Sequence, residues 1–152
     1  MTDSRPLLYL DTSIPSAYYN DRQPERQLFT QRLWHDKLPN HHLVISNITV
    51  KEIDATKNRR RRKKLQRLIH LLDTRIATPA GVALANEYLK ILSMPEYDAL
   101  HVAIAAVFSC EILLSWNFRH IVNDRNKQKI NEINLLNGYK SIIILSPLKL
   151  GD

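Results

Sequence analysis

Short, almost purely apolar runs recur along the chain, and segments with helical spacing separate them. Continuous apolar strands that alternate with helices are typical of a parallel sheet covered on both faces. The pattern therefore predicts an α/β fold with a parallel sheet of about four to five strands flanked by helices. The predicted strands are LLYL at 7–10, LVIS at 43–46, a shorter candidate at 75–78, ILLS at 112–115 and SIIIL at 141–145.

The segments between these runs place apolar residues three and four positions apart, as amphipathic helices do. Two further signals mark turns: Pro79–Ala80–Gly81 is expected to close the strand at 75–78, and Asn137–Gly138 precedes the last strand. The sequence shows neither an internal repeat nor a linker, so one domain over residues 1–152 is expected. The predicted helices cover 23–35, 65–72 as the continuation of a helix out of the basic run, 82–92 and the alanine-rich segment 97–109.

Composition agrees with a globular protein that builds its own core. The 152 residues are 44% hydrophobic and 24% charged, which argues against disorder. The single cysteine, Cys110, excludes an intrachain disulfide and suits the reducing cytoplasm. Because residues 1–6 are short and polar and lack an apolar signal core, we expect a cytoplasmic protein.

The positive charge is concentrated in one segment. The net charge is +7, and the run KNRRRRKK at 57–64 holds seven basic residues and no acid, so it accounts for the whole excess. Such a patch attracts polyanions, which favours a contact with RNA or with an acidic protein partner, although a solvated helix face would have the same composition. The candidate RNA-binding residues are Lys57, Arg59, Arg60, Arg61, Arg62, Lys63 and Lys64.

Acidic or amide side chains follow the first strands. Asp11 comes directly after the strand at 7–10, Glu52 follows the second strand, and Asn117 follows the strand at 112–115. Asp98 begins the apolar helix that leads into that third strand. Each residue alone could be a helix cap or a solvated acid. Because the carboxyl ends of parallel strands share one edge of a sheet, the four together predict a site there.

Clustered carboxylates repel one another unless a cation lies between them. Ligand sets made only of oxygen suit Mg²⁺ or Mn²⁺. Such an ion can activate a water and offset the charge that builds up on a phosphodiester. Metal-dependent cleavage of a nucleic acid is therefore one chemistry that these residue types can support.

Four segments and the tail of the chain match the pattern of one known family. The segments are YLDTSIPSAYYND, SNITVKEID, YDALHVAIAA and LLSWNFRHIVN, and the tail is INEINLLNGYKSIIILSP. They resemble the PIN-domain ribonucleases, in particular the VapC-like toxins of type II toxin–antitoxin systems. The resemblance covers residues 7–147 and keeps the motifs in order. It implies a PIN fold, endonucleolytic cleavage of RNA with Mg²⁺ or Mn²⁺, and neutralisation by a small cognate antitoxin protein. It also implies a homodimer, which is common among these toxins.

The resemblance places the first three family acids on Asp11, Glu52 and Asp98, and the fourth acidic position on Asn117. It makes all four catalytic, with Asp11, Asp98 and Asn117 as metal ligands and Glu52 acting directly or through water. The commonest pattern has an aspartate at the fourth position. An asparagine keeps an oxygen ligand and removes a charge, so we expect one well-held metal and leave a two-metal mechanism open.

Neighbouring polar residues are candidates for a supporting shell. Thr12 and Ser13 could bind a metal-bound water or a phosphate, or simply form the turn after the first strand. His101 lies one helical turn after Asp98 and could orient it or contact substrate, but a core histidine with satisfied hydrogen bonds is an equal alternative. Trp116 is expected to pack rather than to stack on a base.

Other function classes fit less well. A catalytically silent PIN-like module that binds RNA or a protein is favoured by Asn117, and it would bind RNA without turnover. A receiver domain normally carries paired acids after its first strand, whereas Asp11 stands alone. Glycines occur only at 81, 138 and 151, which excludes a Gly-rich phosphate loop. Cys110 and the scattered histidines do not have zinc-ligand spacing.

Overall fold

The computed structural model describes residues 3–151 and confirms the α/β fold: a five-stranded parallel sheet with helices on both faces. The strand order is β3-β2-β1-β4-β5, and every neighbouring pair is parallel. Successive strands are added on one side of β1 up to β3 and on its other side from β4 onward. The topological switch point therefore lies between the carboxyl ends of β1 and β4. The strands are β1 (Leu7–Leu10), β2 (His42–Ser46), β3 (Asp73–Arg75), β4 (Ile112–Leu114) and β5 (Ile143–Leu145).

Helices connect most of the strands, and two short 3-10 turns complete the secondary structure of the described residues. The α-helices are α1 (Ser13–Tyr18), α2 (Pro24–Asp36), α3 (Asn47–Asp54), α4 (Arg59–Ile69), α5 (Pro79–Ile91), α6 (Glu96–Val107) and α7 (Asp124–Leu136), and the 3-10 turns are Leu38–Asn40 and Pro147–Lys149. None of the helices within residues 3–151 combines the length and the apolar character needed to cross a bilayer.

Two hydrophobic clusters sandwich the sheet. Tyr9 points into the cluster formed with α5, α6 and α7, whereas Leu8 and Leu10 point into the cluster formed with α1, α2 and α4. This alternation is the period of two that a strand imposes on its side chains. Eight of the twelve residues of α6 are buried, and four of these eight are alanines. The sheet is thus covered on both faces, and the candidate polar residues lie beyond the carboxyl ends of its strands.

Two predicted boundaries were wrong. The strand expected at 75–78 is β3 at Asp73–Arg75, and the expected turn Pro79–Ala80–Gly81 is instead the first turn of α5. Thr78 caps that helix, because its hydroxyl accepts the Gly81 N–H at 3.1 Å. Pro79 fits the first helical position, where a missing N–H leaves no bond unmade.

Side-chain caps also create two helix starts that the apolar pattern did not indicate. Ser46 Oγ accepts the Ile48 N–H at 3.2 Å and begins α3, the helix that carries Glu52. Asn58 Oδ1 accepts the Arg61 N–H at 2.9 Å and begins α4, so the basic run itself is helical. These caps bring both the second acid and the basic run onto rigid elements.

Candidate active site

Asp11, Asp98 and Asn117 lie together at the carboxyl ends of β1 and β4. Ser115, the residue after β4, donates its hydroxyl to Asp11 Oδ2 at 2.6 Å and accepts the Asn117 N–H at 2.9 Å. The Asn117 amide then donates to Asp98 Oδ2 at 3.0 Å. One continuous set of hydrogen bonds therefore joins Asp11 to Asp98 at the switch point of the sheet.

Asp11 is the most buried acid of this site, with 3% of its surface exposed. Its Oδ1 accepts the backbone N–H of Ser13 at 3.1 Å and also the Ser13 hydroxyl. Burial raises the pKa of Asp11, and the charge of Asp98 adds to that rise, while His101 and the two serine hydroxyls oppose it. Hydrogen-bond donors therefore hold the Asp11 carboxylate in place, but the net pKa is still raised because they do not fully offset the cost of burying its charge.

Asp98 is half-buried in the first turn of α6, and burial raises its pKa by more than the hydrogen bond from Asn117 lowers it. Asn117 Oδ1 accepts the His120 N–H at 2.9 Å. Since a backbone N–H can only donate, the amide orientation is fixed and its NH₂ group faces Asp98. Asn117 therefore caps a turn and supports Asp98, and its oxygen keeps one lone pair for a further partner.

Glu52 belongs to a neighbouring part of the site. His101 Nε2 lies 2.6 Å from Glu52 Oε1, and the Thr12 hydroxyl donates to the same oxygen at 2.7 Å. Burial alone would raise the pKa of Glu52, but the hydrogen bond and charge of His101 outweigh it, and the net pKa is lowered. His101 thus contacts Glu52, the acid on the other helix, and not its own neighbour on α6.

A buried chain of hydroxyl groups holds His101 from behind. His101 Nδ1 lies 2.6 Å from the Tyr9 hydroxyl, which lies 2.8 Å from Ser46 Oγ. Because the Glu52 carboxylate only accepts, Nε2 donates to it, while Nδ1 accepts from Tyr9 in the neutral ring and donates to the Tyr9 oxygen in the charged ring. His101 is 2% exposed and both its nitrogens are bonded, which is the core-histidine alternative realised next to the site.

Three residues of this arrangement were missed by the sequence analysis: Tyr9, Ser46 and Ser115. Each had a visible signal, since Tyr9 is the polar-tipped member of an apolar strand and the two serines follow the apolar residues at strand ends. The turn alternative for Ser13 also holds, because its hydroxyl contacts Asp11 and accepts the Trp116 N–H at 2.8 Å.

The fit of a divalent cation to this site rests on Asp11 and Asp98. Within residues 3–151, no group of three or more histidine, cysteine, aspartate or glutamate side chains is placed to share a metal ion. Mg²⁺, however, is commonly bound by one or two carboxylates, with waters and phosphate oxygens completing its octahedron. Burial raises the pKa of both carboxyl groups, and a neighbouring acid adds to each rise, namely Asp98 for Asp11 and Glu52 for Asp98. Two such carboxylates fit that pattern, because a bound cation would offset their charge.

The basic run on α4 divides into two kinds of residue. Arg61 donates to the carbonyls of Tyr19 and Ser16 at 2.8 and 3.1 Å, and Arg62 donates to the Thr56 carbonyl at 2.8 Å. These two arginines therefore fasten α4 to its neighbours. The other basic residues are exposed, namely Lys57, Arg59, Arg60, Lys63 and Lys64. Beside them lies a cavity of about 660 Å³ lined by Tyr19, by polar and basic side chains and by one acid, Asp21.

Comparison with known proteins yields a family and a set of folds. The model of the PIN domain matches residues 8–130. No curated protein sequence matches the chain significantly. The structure of VapBC2 from Rickettsia felis bound to a DNA fragment from their promoter is 16% identical over 92% of this chain and 98% of that chain, with a TM-score of 0.60.

Two further solved structures share the fold at similar levels. VapC20 from Mycobacterium tuberculosis, a Sarcin-Ricin loop cleaving toxin, is 19% identical over 74% of this chain and 91% of that chain, with a TM-score of 0.60. A toxin-antitoxin complex from Klebsiella pneumoniae is 13% identical over 92% of this chain and 97% of that chain, with a TM-score of 0.63. At these identities the likeness shows a common fold.

Proposed function

The chain belongs to the PIN domain family, and from that membership we propose that it is a divalent-metal-dependent endoribonuclease, the toxin of a type II toxin–antitoxin pair. The observation that carries the proposal is the pair Asp11 and Asp98, two carboxylates with raised pKa values at the switch point of a parallel sheet. The fold shared with a Sarcin-Ricin loop cleaving toxin and with toxin-antitoxin complexes supports it.

In this proposal Asp11 and Asp98 hold Mg²⁺ or Mn²⁺, and we expect one ion. Asn117 was predicted to be a third ligand through Oδ1, but its NH₂ group faces Asp98 and its Oδ1 accepts the His120 N–H, so Asn117 binds the ion only if its amide turns over. A bound ion of this kind would supply an activated water and offset charge on the phosphodiester. Ser13 and Ser115 keep the Asp11 oxygens pointing into the site through their hydrogen bonds. Asn117 does the same for Asp98 through its amide.

Glu52 supplies a further carboxylate, directly or through water. Its lowered pKa keeps it ionised, and His101 with Thr12 fixes one of its oxygens. The second oxygen, Oε2, accepts no hydrogen bond from the described part of the chain and is free to accept a proton from a water or a substrate hydroxyl. Glu52 is therefore the proposed proton acceptor of the site.

The exposed basic residues of α4 are proposed to hold the RNA backbone. The six-residue helix α1 begins beside Asp11 and ends beside the cavity near Tyr19, so about 9 Å of helix separates the acids from the basic surface. Arg61 and Arg62 were also predicted to bind RNA, but their bonds to backbone carbonyls make a supporting role the better proposal. Phosphate contacts then fall to Lys57, Arg59, Arg60, Lys63 and Lys64.

The biological setting is proposed on the same basis. We propose a small cognate antitoxin as protein partner, a homodimer as the assembly, the cytoplasm as the location and a single domain over residues 1–152. The toxin-antitoxin complexes that share this fold support the antitoxin partner. Size-exclusion chromatography with light scattering, alone and with the product of the adjacent gene, tests the two assemblies.

The decisive test is cleavage of a mixed RNA substrate by purified protein with Mn²⁺ or Mg²⁺. We expect cleavage that EDTA abolishes and that Asp98→Asn reduces by at least about 100-fold, since the substitution removes one of two charges that hold the ion. Asp36→Asn, which removes an exposed acid of α2, is the matched control and should leave the rate unchanged. Cleavage that survives in Asp98→Asn would contradict the assignment.

One observation favours the alternative of a catalytically silent module that binds RNA or a protein. The Asn117 amide donates to Asp98 and so satisfies an acid without a metal ion. This alternative predicts RNA binding that is indifferent to EDTA and no cleavage by the unaltered protein. Replacing Asn117 by Asp would then create the missing charge, and Mn²⁺-dependent cleavage that appears only in Asn117→Asp would establish it.

A further inference from the structure

An aromatic surface adjoins the acidic site. Phe118 directly follows Asn117 and is 43% exposed, and its ring centroid lies 6.3 Å from that of Trp116. Phe29, on α2, is 39% exposed and meets the same indole edge-on at 6.1 Å. The partly exposed rings of Phe29 and Phe118 therefore flank the buried ring of Trp116, and Trp116 and Phe118 are the sequence neighbours of Asn117.

The buried ring is held rigidly. Trp116 Nε1 donates to the Thr30 hydroxyl at 3.0 Å, and the Arg26 guanidinium lies 4.6 Å from the indole centroid. Trp116 is 7% exposed, so the packing interpretation suits it and it cannot itself receive a base. It lies beside the partly exposed ring of Phe118, to which its own ring is tilted by 59°.

The surroundings of Phe118 are positively charged. A cavity of about 480 Å³ is bordered by Phe118, Arg119 and Arg125, and no acid is among the described residues that line it. Neither arginine forms an ion pair within residues 3–151. The cavity falls in the size range of small-ligand sites and would accept a nucleotide.

We propose that Phe118 stacks against an unpaired base of single-stranded RNA, while Arg119 and Arg125 contact the phosphates on either side of that nucleotide. Unpaired bases are commonly held in this way, by an aromatic face with arginines along the backbone. Because Phe118 adjoins Asn117, the stacked base lies next to the phosphate at the acidic site. The inference rests on the proposed function and names the part of the substrate that the site holds.

The test is binding of a fluorescent single-stranded RNA of about 12 nucleotides in EDTA, where no cleavage interferes. We expect Phe118→Ala and Phe118→Leu to weaken binding about 10-fold, because both remove the aromatic face. Phe118→Tyr should bind as the unaltered protein does. Leu136→Ala, which removes an 86% exposed side chain from α7, is the matched control and should have no effect.

Polyphosphate is the second probe, because it carries charge without bases. Phe118→Ala should leave polyphosphate affinity unchanged, whereas Arg119→Ala with Arg125→Ala should weaken both probes and flatten the salt dependence. Equal RNA binding by Phe118→Ala, Phe118→Leu and the unaltered protein would overturn the inference. So would loss of RNA and polyphosphate binding together in Phe118→Ala. Metal-dependent cleavage is measured separately, so either result would leave the proposed function standing.

Discussion

At the scale of single residues, Asp11 combines a cost to folding with a role in the site. Burial raises its pKa, and the nearby Asp98 charge raises it further. A group whose pKa is higher in the folded than in the unfolded protein stabilises the fold below the unfolded pKa, and that contribution is lost as pH rises through the folded pKa. At neutral pH the ionised Asp11 is therefore unfavourable for folding when no cation is bound.

This sign predicts the behaviour of Asp11→Asn. In EDTA at pH 7 the variant should melt at a higher temperature than the unaltered protein, and the difference should shrink as pH falls through the raised pKa of Asp11 and the natural side chain takes up a proton. Adding Mg²⁺ should raise the melting temperature of the unaltered protein alone. Scanning fluorimetry across pH measures all three effects, and a variant that melts lower at pH 7 would contradict the argument.

His101 acts through another side chain and gives a different prediction. His101→Ala should remove one hydrogen bond from the buried Tyr9 hydroxyl and one from Glu52 Oε1, which keep only Ser46 and Thr12 as partners, and this costs about 1–3 kcal/mol of stability. Cleavage should fall about 10-fold beyond that loss, because Glu52 is no longer aimed.

His101→Gln is the conservative comparison, since its side chain can still donate to Glu52. It should recover most of the cleavage rate at temperatures where both variants are folded. Rates equal for His101→Ala and the unaltered protein under those conditions would show that Glu52 needs no positioning partner. The pH dependence of cleavage then distinguishes the two roles: loss of Glu52 positioning changes the shape of the profile, whereas loss of stability alone does not.

At the scale of elements, two glycines test opposite effects on the backbone. Gly81 lies inside α5, and an added Cβ would meet its nearest neighbours at 3.6 and 3.8 Å, which is ordinary contact. Gly138 follows α7 with φ of +85°, a conformation that side chains disfavour.

Gly81→Ala should therefore stabilise the protein by about 0.5–1 kcal/mol, and Gly138→Ala should destabilise it by about 1 kcal/mol. Chemical denaturation measures both, and each variant is the other's control. Loss of stability in Gly81→Ala would contradict the prediction, because it would show that the first turn of α5 cannot accommodate the added methyl group.

The elements also explain which parts of the fold were predictable. The central strands β1, β2 and β4 follow from sequence, because burial on both faces makes them almost continuous apolar runs. The edge strand β3, with Asp73 and Arg75, was misplaced because an edge needs no apolar run. The helix α3 was missed because its start depends on the Ser46 cap, and a serine after a strand equally indicates a turn.

The site divides along the same line. That Asp11, Asp98 and Asn117 would meet follows from topology, since strand ends share an edge. That His101 pairs with Glu52 does not, because it depends on side-chain directions from two helices. The direction of the Asn117 amide likewise depends on a backbone donor, His120, that only the folded turn supplies.

At the scale of the whole molecule, the charge of +7 is spread unevenly and should govern how RNA arrives. The net excess equals the charge of the run at 57–64, most of which lies on α4, whereas the three candidate acids Asp11, Glu52 and Asp98 lie beside α1, on α3 and on α6. A polyanion is thus attracted to one side of the molecule and repelled from the bare acids. A bound cation would remove that repulsion, so metal should assist RNA binding as well as cleavage.

This asymmetry predicts that the basic run contributes in two separable ways. Replacing Arg59, Arg60 and Lys64 by alanine should weaken RNA binding and reduce the slope of log affinity against log salt by about 2, since each lost phosphate contact to a single strand contributes about 0.7. The melting temperature should hardly change, because all three side chains are exposed. Fluorescence anisotropy over a range of salt concentrations measures the slope.

The matched comparison is Arg61→Ala with Arg62→Ala, which removes a similar charge from the same helix. These side chains donate to the carbonyls of Ser16 in α1, Tyr19 just after α1 and Thr56 just after α3, so the variant should melt at a lower temperature and change the salt slope less. If both variants flatten the slope equally, position on the helix is irrelevant and only total charge matters. If only the exposed set does, the face of α4 that borders the Tyr19 cavity is the path of the RNA backbone.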